Sequence, residues 1–376
     1  MPLDSQEFRI SLQRLLAGLI VILVPVTVLG FYFGLQADKQ VHEMSGAYFR
    51  TITRSAAATT SEFIGQRVTE ASLIANESSL VQAIALANRS YEHMAEPEIR
   101  AKTERIDSTW GGPESDPLVK SIVTSDLAHW LRRCRELNPR VLRITVADEA
   151  GATVAATDKP EHYFQAEREY WQDLSTRGPN SVYVSDLRYD EQSRSHYITI
   201  DFPVLQEGTG RFIGAVTALV DVSPLFLALN QLQIARTGRV FLIRDDGTVV
   251  NSPGVNPSMR VKSEEYAAIQ DALGTLQGRE TGYVGARFRN GETYLIGFAD
   301  TGLKQSYPNL GWIVVATQEE REVTGPILNT ARFALLMIIL GLLMLTVLGA
   351  YVFLHRKQQL SDLEMPAEEN SRSASA

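Results

Sequence analysis

The hydrophobic pattern in the first quarter of the chain is helical. Apolar residues between 36 and 90 recur at spacings of three and four, and glycine and proline are scarce there. This period predicts one long helix, or two helices with a break near Asn76. A second stretch with helical spacing covers 117–137, and the segment TWGGPESDP (109–117) before it predicts a loop.

From Val141 onward the apolar residues change to a period of two. Leu142, Ile144 and Val146 alternate with polar residues, and the acidic, Gly-containing segment from Asp148 predicts a tight turn followed by a second strand. One helix and three strands are predicted after this hairpin, at 165–174, 182–186, 196–204 and 211–220.

The same order of elements then begins again. Ser223 and Pro224 are typical of a helix cap and a first-turn proline, which predicts a helix at 224–233. The segment VFLIRDDGTVVN (240–251) again predicts strand, turn and strand. The remaining predicted elements are a helix at 263–276 and strands at 292–299 and 311–317.

Two pairs of segments carry this repeat. ITVADEAGATVAA and FLIRDDGTVVNS each contain an apolar run, an acidic turn with glycine and a second apolar run, and IGAVTALVD and LGWIVVATQ each contain a Gly-led run late in the unit. We infer two tandem modules of antiparallel sheet, at 138–224 and 236–318. The fold class is therefore α+β, with a helical stalk at 36–137 ahead of the two modules.

Two uncharged runs lie outside this region. Residues 15–35 form a run of 21 residues and 333–354 a run of 22 residues. A helix of this length spans about 30 Å, the thickness of a membrane's hydrocarbon core. The first run is too long for the apolar region of a signal peptide, and no small-residue cleavage site follows it. We expect two transmembrane helices.

Basic residues flank both runs on their terminal sides. Arg9 and Arg14 precede the first, and Arg356 and Lys357 follow the second. Basic residues stay in the cytoplasm, so we expect both termini inside and the domain between the spans outside a cell (inner) membrane. The predicted parts are a cytoplasmic N-terminus, an extracytoplasmic domain and a short, disordered cytoplasmic tail without an output module, at 1–14, 36–331 and 355–376.

Composition and motif content argue against several classes of function. The net charge of −8 argues against a nucleic-acid partner. The single cysteine, Cys134, excludes an intramolecular disulfide, and the six histidines lack metal-ligand spacing. We expect no metal and no cofactor. The sequence contains no GxSxG motif and no phosphate-binding loop, so we expect no enzyme activity.

The segment HYFQAEREYWQ contains a candidate binding motif. Tyr163 is followed after five residues by Arg168, and then by Tyr170 and Trp171. The planar guanidinium of an arginine suits a carboxylate, and aromatic faces attract an ammonium group. Asp221, at the end of a later predicted strand, could neutralise such an ammonium.

With these elements the chain resembles the double Cache family of extracellular sensor domains over residues 36–330. The resemblance implies a long helix packed along two PAS-like modules, with a small ligand bound in the membrane-distal module. The family's amino-acid and amine binders have the same Tyr, Arg and aromatic-pair spacing and a distant Asp. They usually have Trp before Tyr, whereas this chain has Tyr170 before Trp171. Tyr183, Asp186 and Asp201 lie on predicted strands nearby and are further candidates.

Each candidate also has a purely structural interpretation. Arg168 could pin a helix to the sheet, and Tyr170 and Trp171 could be core aromatics. Tyr163 could pack on the surface. Asp221 precedes a predicted helix start, where a carboxylate is favourable without any ligand.

Three classes of function are open at this point. The first is a sensor of an amino acid, an amine or a carboxylate that signals through a separately encoded cytoplasmic or membrane partner. The second is an extracytoplasmic scaffold that binds another protein and no small molecule. The third, an enzyme, lacks a supporting motif. Long membrane-proximal helices often pair, so we also expect a homodimer through residues 40–75.

Overall fold

A computed structural model describes residues 12–111, 116–178, 181–191, 193–232, 234–275 and 281–364. Outside this part lie the start of the predicted cytoplasmic N-terminus, the middle of the predicted loop at 109–117 and the tail beyond residue 364. The last residues of two predicted helices, 233 and 276, also lie outside it. The chain forms two compact units, one made of residues 46–319 and the other of the residues before 46 and after 319.

Helices occupy the N-terminal part of the 46–319 unit. Helix α1 (Leu12–Ala75) ends beside Asn76 and α2 (Ser78–Asn88) follows, which confirms the break predicted there. Helix α3 (Glu96–Ser108) was not predicted, because its sequence is mostly polar and only Thr103 is buried.

The predicted helix 117–137 is two helices. These are α4 (Pro117–Thr124) and α5 (Asp126–Leu137). The break comes at Ser125, whose hydroxyl accepts a hydrogen bond from the N–H of Ala128 at 3.1 Å. Such an N-cap starts a new helix.

The first sheet is antiparallel. Its strands are β1 (Val141–Asp148), β2 (Thr153–Ala156), β3 (Tyr183–Val184), β4 (Arg188–Asp190), β5 (Ser195–Leu205) and β6 (Phe212–Asp221). Their order is β2-β1-β6-β5-β3, with β4 also paired to β5. Helix α6 (Glu169–Arg177) connects β2 to β3, and α7 (Ser223–Asn230) follows β6.

The second sheet repeats this arrangement. Its strands are β7 (Arg239–Arg244), β8 (Val249–Asn251), β9 (Thr281–Arg287), β10 (Thr293–Asp300) and β11 (Trp312–Glu319), with α8 (Glu264–Thr275) between β8 and β9. The order β8-β7-β11-β10-β9 matches that of the first sheet. The α+β fold with two tandem PAS-like modules is confirmed. Strand β9 was not predicted because it lacks a buried apolar face.

The strand registers relate positions in the two modules. Arg143 on β1 lies opposite Leu219 on β6, and Arg239 on β7 lies opposite Thr317 on β11. Both arginines stand eight residues before the glycine of the following hairpin turn. Arg143 and Arg239 are therefore equivalent, and so are Leu219 and Thr317.

The stalk helices pack directly on both sheets. Phe49 of α1 packs on β10 and is only 1% exposed. A Cβ on Gly297 of β10 would lie 2.7 Å from the Cβ of Phe49. At Gly214 of β6 a Cβ would lie 2.2 Å from the carbonyl oxygen of Ala147 on β1 and 3.1 Å from Cγ2 of Ile84 on α2. Glycine at position 297 permits the close approach of α1 to β10, because a larger residue there would push the two backbones apart.

The other unit contains the first part of α1 and helix α9 (Glu320–Glu364). Nε2 of His42 lies 3.0 Å from Oε1 of Glu320 within it. Among the described residues, one helical segment, Arg332–Val352, is long and apolar enough to cross a membrane. It coincides with the second predicted span. The first predicted span lies within α1 and stays a prediction.

The predicted disorder of the tail is wrong for its first residues. Helix α9 continues through residues 358–364, which were placed in the disordered tail. A helix that is already formed adds residues at little cost, and this segment contains Gln, Leu and Glu, which favour helices.

Candidate ligand-binding site

The first sheet carries a cavity of about 320 Å³, within the size range of small-molecule sites. It lies between strands β1, β5 and β6 and the segment that leads into α6. The side chains around it are mostly polar, and those used below are Arg143, Thr145, Gln165, Arg168, Glu169, Tyr170, Tyr183, Arg188, Thr199 and Thr217.

Threonine hydroxyls form the floor of this cavity. Thr199 and Thr217 both donate to the carboxylate of Asp201, at 2.8 Å and 2.5 Å. Asp201 is fully buried behind them, and this burial raises its pKa to about 7, although the two hydroxyl hydrogen bonds oppose the rise. Asp201 therefore supports the floor and does not line the cavity.

Two tyrosines form one wall. The rings of Tyr170 and Tyr183 are 6.4 Å apart, and the Tyr170 hydroxyl donates to Oε1 of Gln165 at 2.9 Å. Burial raises the pKa of both phenols above the ordinary value, so both remain neutral hydroxyls at physiological pH.

Three arginines line the cavity. Arg143 and Arg168 are half-buried, and Arg188 is exposed. Arg168 occupies the N-cap position of α6 with an extended backbone, at φ −79° and ψ 145°. Helix α6 is anchored by Trp171, which is 6% exposed and meets the ring of Phe212 edge-on at 5.2 Å. Trp171 therefore belongs to the core and holds the helix that presents Arg168.

The segment before α6 is fixed to helix α3. One oxygen of Asp107 accepts from the N–H groups of Tyr163 and Phe164, at 2.7 Å and 3.1 Å. The indole N–H of Trp110 donates to the carbonyl of Pro160 at 2.8 Å, and the Tyr163 ring packs 5.3 Å from that of Trp110. Tyr163 thus lies in a hydrophobic cluster beside the cavity and does not line it.

Asp221 also lies outside the lining. It ends β6, and its carboxylate accepts from the N–H of Ser223 at 2.8 Å. The prediction that Ser223 caps α7 is wrong, because Val222 holds that position and the Ser223 hydroxyl accepts from the N–H of His196 at 3.2 Å. The side chain of Asp221 therefore acts at the start of α7.

The structure brings together only part of the predicted site. Arg168, Tyr170 and Tyr183 share the cavity, and contact of any candidate with a ligand stays a prediction. The sequence analysis missed Arg143, Arg188 and the threonines. Alternation along β1 and β6 was the available signal for Arg143 and two threonines, because it places residues two apart on one face.

Charged side chains of opposite sign differ in burial around this cavity. The two half-buried lining charges are the guanidinium groups of Arg143 and Arg168, whereas the lining glutamates, Glu161, Glu167 and Glu169, are exposed. In the described part of the chain, no three His, Cys, Asp or Glu side chains are grouped closely enough to hold a metal ion. The inner cavity therefore presents positive charge and hydroxyl groups.

Residues 37–327 match the Cache domain family model, and the chain belongs to this family. Cache domains are extracellular sensor domains of membrane receptors, and they act as ligand-binding signalling modules rather than as enzymes. No curated protein is significantly similar to the chain.

Several solved structures are similar to this chain at low identity. One is the ligand-binding domain of the Pseudomonas aeruginosa amino acid chemoreceptor PctB in complex with L-Arg, with 15% identity over 74% of this chain and 97% of that chain and a TM-score of 0.44. Another is that of the Campylobacter jejuni chemoreceptor Tlp3 in complex with L-norvaline, with 12% identity, 77% and 96% coverage and a TM-score of 0.49. The Pseudomonas fluorescens chemoreceptor CtaA domain in complex with L-isoleucine has 12% identity, 76% and 95% coverage and a TM-score of 0.43.

Proposed function

We propose that the protein is a membrane-bound sensor that binds a small carboxylate-bearing molecule in the cavity of the first module. The observation that carries this proposal is the pair of half-buried arginines, Arg143 and Arg168, above a floor of threonine hydroxyls. A guanidinium group donates two parallel hydrogen bonds to a carboxylate, and partial burial strengthens that interaction.

The inner charges favour a carboxylate over a simple amine. Two threonine hydroxyls donate to Asp201, and burial raises its pKa to about 7, which favours the uncharged carboxyl below that pH. Asp221 lies outside the lining. An amine would therefore meet positive groups inside the cavity. An amino acid could direct its carboxylate to Arg168 and its ammonium outward to Glu169 at the rim. Both amino acids and simple carboxylic acids fit the proposal.

Calorimetry on the full chain in lipid nanodiscs tests the ligand class. The ligands are a set of amino acids, the 2-hydroxy acids with the same side chains, and the corresponding amines without a carboxylate. We expect heat from at least one acid and none from its amine. Binding of an amine with the affinity of its matching acid would refute the assignment.

A matched pair of variants tests the site. Arg168→Ala should weaken binding of that acid at least tenfold, since hydrogen bonds to charged groups contribute about 1.5–3 kcal/mol. Arg177→Ala is the control, because Arg177 is on the same helix, is 52% exposed and pairs with Asp173 at 2.7 Å. An equal loss in both variants would contradict a direct role for Arg168.

The proposed topology has spans at 15–35 and 333–354, with both termini in the cytoplasm. Its test uses single cysteines in a Cys134→Ser background. Leu137→Cys, at a site that is 86% exposed in the 46–319 unit, should react with a membrane-impermeant maleimide on intact cells. Ser5→Cys should react only after permeabilisation. Reaction of Ser5→Cys in intact cells would exclude this topology.

The proposed assembly is a homodimer through residues 40–75, with a separate signalling protein that reads the ligand-dependent change. Tyr48 on α1 is 54% exposed, and Leu86 on α2 is 66% exposed. Tyr48→Cys should form a disulfide-linked dimer in membranes under mild oxidation, whereas Leu86→Cys, in the same Cys134→Ser background, should not. Equal cross-linking of both would argue against pairing through this segment.

Contacts within the 46–319 unit could carry a signal from the first module to the second. The side-chain amide of Asn309 donates to the carbonyl of Val184 at 3.0 Å, next to Tyr183 of the cavity. Arg244 on β7 forms an ion pair with Asp186 in the same segment. Ligand contact at Tyr183 would therefore act on a segment that is tied to the second module.

A further inference from the structure

The second module has its own cavity. Its volume is about 440 Å³, and it lies at the position equivalent to that of the first cavity. Arg239 and Thr317 line it, and these residues correspond in the strand registers to Arg143 and Leu219, which line the first. The two modules therefore place cavities on the same part of the same fold.

The second cavity differs in charge. Nη2 of Arg239 donates to Glu265 at 2.7 Å, and the hydroxyl of Ser263 donates to the other oxygen of Glu265 at 2.6 Å. The Glu265 side chain is only 3% exposed. Glu265 is the second residue of α8, as Tyr170 is of α6. A carboxylate thus stands where the first module has a tyrosine, and it neutralises the arginine that would otherwise attract an anion.

The remaining wall combines apolar side chains with the polar side chains of Thr237, Ser252, Lys262, Glu264 and Asn290. The rings of Phe288 and Tyr294 are stacked with centroids 4.7 Å apart and an interplanar angle of 17°. Phe241 is 1% exposed at the position equivalent to Thr145 of the first cavity floor. The other apolar side chains in the lining are Val249, Val255 and Val261.

One buried hydroxyl in this lining has no hydrogen-bond partner in the described part of the chain. Thr317 is 1% exposed, and its hydroxyl has no hydrogen-bond partner among the residues that the structure describes. Buried hydroxyls are nearly always hydrogen-bonded, because leaving one unpaired is costly. A ligand group in the cavity would satisfy this hydroxyl.

We propose that the second cavity binds a small uncharged molecule that packs an apolar ring or chain on Phe288 and Tyr294 and pairs one hydroxyl or carbonyl group with Thr317. The neutralised arginine disfavours an anion, and the apolar walls disfavour a strongly hydrated molecule. Thr317 is two residues from the end of β11, and α9 begins directly after that strand. This site therefore includes a residue of the strand that leads into α9. It shares no lining residue with the carboxylate site.

Calorimetry on the full chain in nanodiscs, with empty nanodiscs subtracted, tests this proposal with benzyl alcohol and toluene. The two molecules have similar shapes and differ in one hydroxyl. Thr317→Val keeps the side-chain shape and removes the hydroxyl. We expect the affinity for benzyl alcohol to fall about tenfold in this variant and that for toluene to change less than twofold, because one hydrogen bond is lost only with the alcohol.

Two further variants locate the binding. Val261→Trp, at a lining position that is 44% exposed, should block both molecules, and Arg168→Ala in the first cavity should affect neither. The proposal is overturned if benzyl alcohol does not bind, if Thr317→Val changes both affinities equally, or if Arg168→Ala rather than Val261→Trp abolishes binding. Loss of carboxylate binding alone in Arg168→Ala bears only on the first cavity.

Discussion

Replacing Asp201 with asparagine should change how the stability of the outer unit depends on pH. The Asp201 carboxyl is fully buried, and its pKa rises from an ordinary value of 3.8 to about 7. Below pH 3.8 this group is protonated in both the folded and the unfolded chain. Above that pH the unfolded chain releases the proton while the folded chain keeps it, so the free energy of unfolding falls until about pH 7.

The size of the effect follows from the difference between the two pKa values. One pH unit corresponds to about 1.4 kcal/mol, so a shift of about three units removes about 4 kcal/mol between pH 4 and pH 8. Asparagine does not titrate, and it can still hydrogen-bond with Thr199 and Thr217. Asp201→Asn should therefore resemble the wild type in stability at pH 4 and exceed it by up to about 4 kcal/mol at pH 8.

Urea unfolding of the full chain in detergent micelles, followed by tryptophan fluorescence, measures this difference. All four tryptophans lie within residues 46–319, so the signal reports that unit. Asp148→Asn provides a graded comparison, since burial raises the Asp148 pKa to about 6 and predicts a smaller effect of about 3 kcal/mol. A stability difference between Asp201→Asn and the wild type that is equal at pH 4 and pH 8 would refute the reasoning.

Three further substitutions test packing and coupling. Gly297→Ala should destabilise the 46–319 unit by about 1–3 kcal/mol in urea unfolding, because the new Cβ would lie 2.7 Å from that of Phe49, whereas Gly285→Ala, with its nearest neighbour at 3.9 Å, should cost less than 1 kcal/mol. Gly151→Ala should both destabilise this unit and weaken carboxylate binding measured by calorimetry, because φ is +79° there and the Cβ would lie 2.6 Å from the backbone nitrogen of Ala166, near Arg168. Asn309→Ala should leave carboxylate affinity within twofold but reduce the ligand-induced change in hydrogen exchange in the second sheet; an unchanged exchange response would argue against this route.

The two modules show how one topology supports different chemistry. Arg143 and Arg239 are equivalent and both line a cavity. The first is accompanied by threonine hydroxyls, and the second is paired with the buried Glu265. The strand order is the same in both modules because it depends on the apolar residues packed between each sheet and its helices. Residues at the cavity positions can differ without changing that packing.

Much of the fold could be predicted from the chain because its signals are local. The period of three and four along α1, the alternation before Gly151 and the same pattern before Gly247 each define an element without reference to distant residues. Their repetition predicted two modules. The elements that were missed include α3, β4 and β9, which have few buried apolar residues and so lack the period on which such predictions depend.

The composition of the candidate site was decided by tertiary structure. Sequence spacing grouped Tyr163, Arg168, Tyr170 and Trp171, but only Arg168 and Tyr170 line the cavity. Tyr163 packs on Trp110, which follows α3, and Trp171 packs on Phe212 of strand β6. Residue types alone therefore could not separate ligand contacts from core contacts.

The sequence by itself determined the periodic elements, the repeated module and the apolar segment near the C-terminus, because each depends on residues close together in the chain. The tertiary structure placed Arg143 in a cavity with threonine hydroxyls and paired Arg239 with the buried carboxylate of Glu265. That outcome depends on contacts such as Arg239 with Glu265, 26 positions apart, and on burial, which a local pattern does not contain.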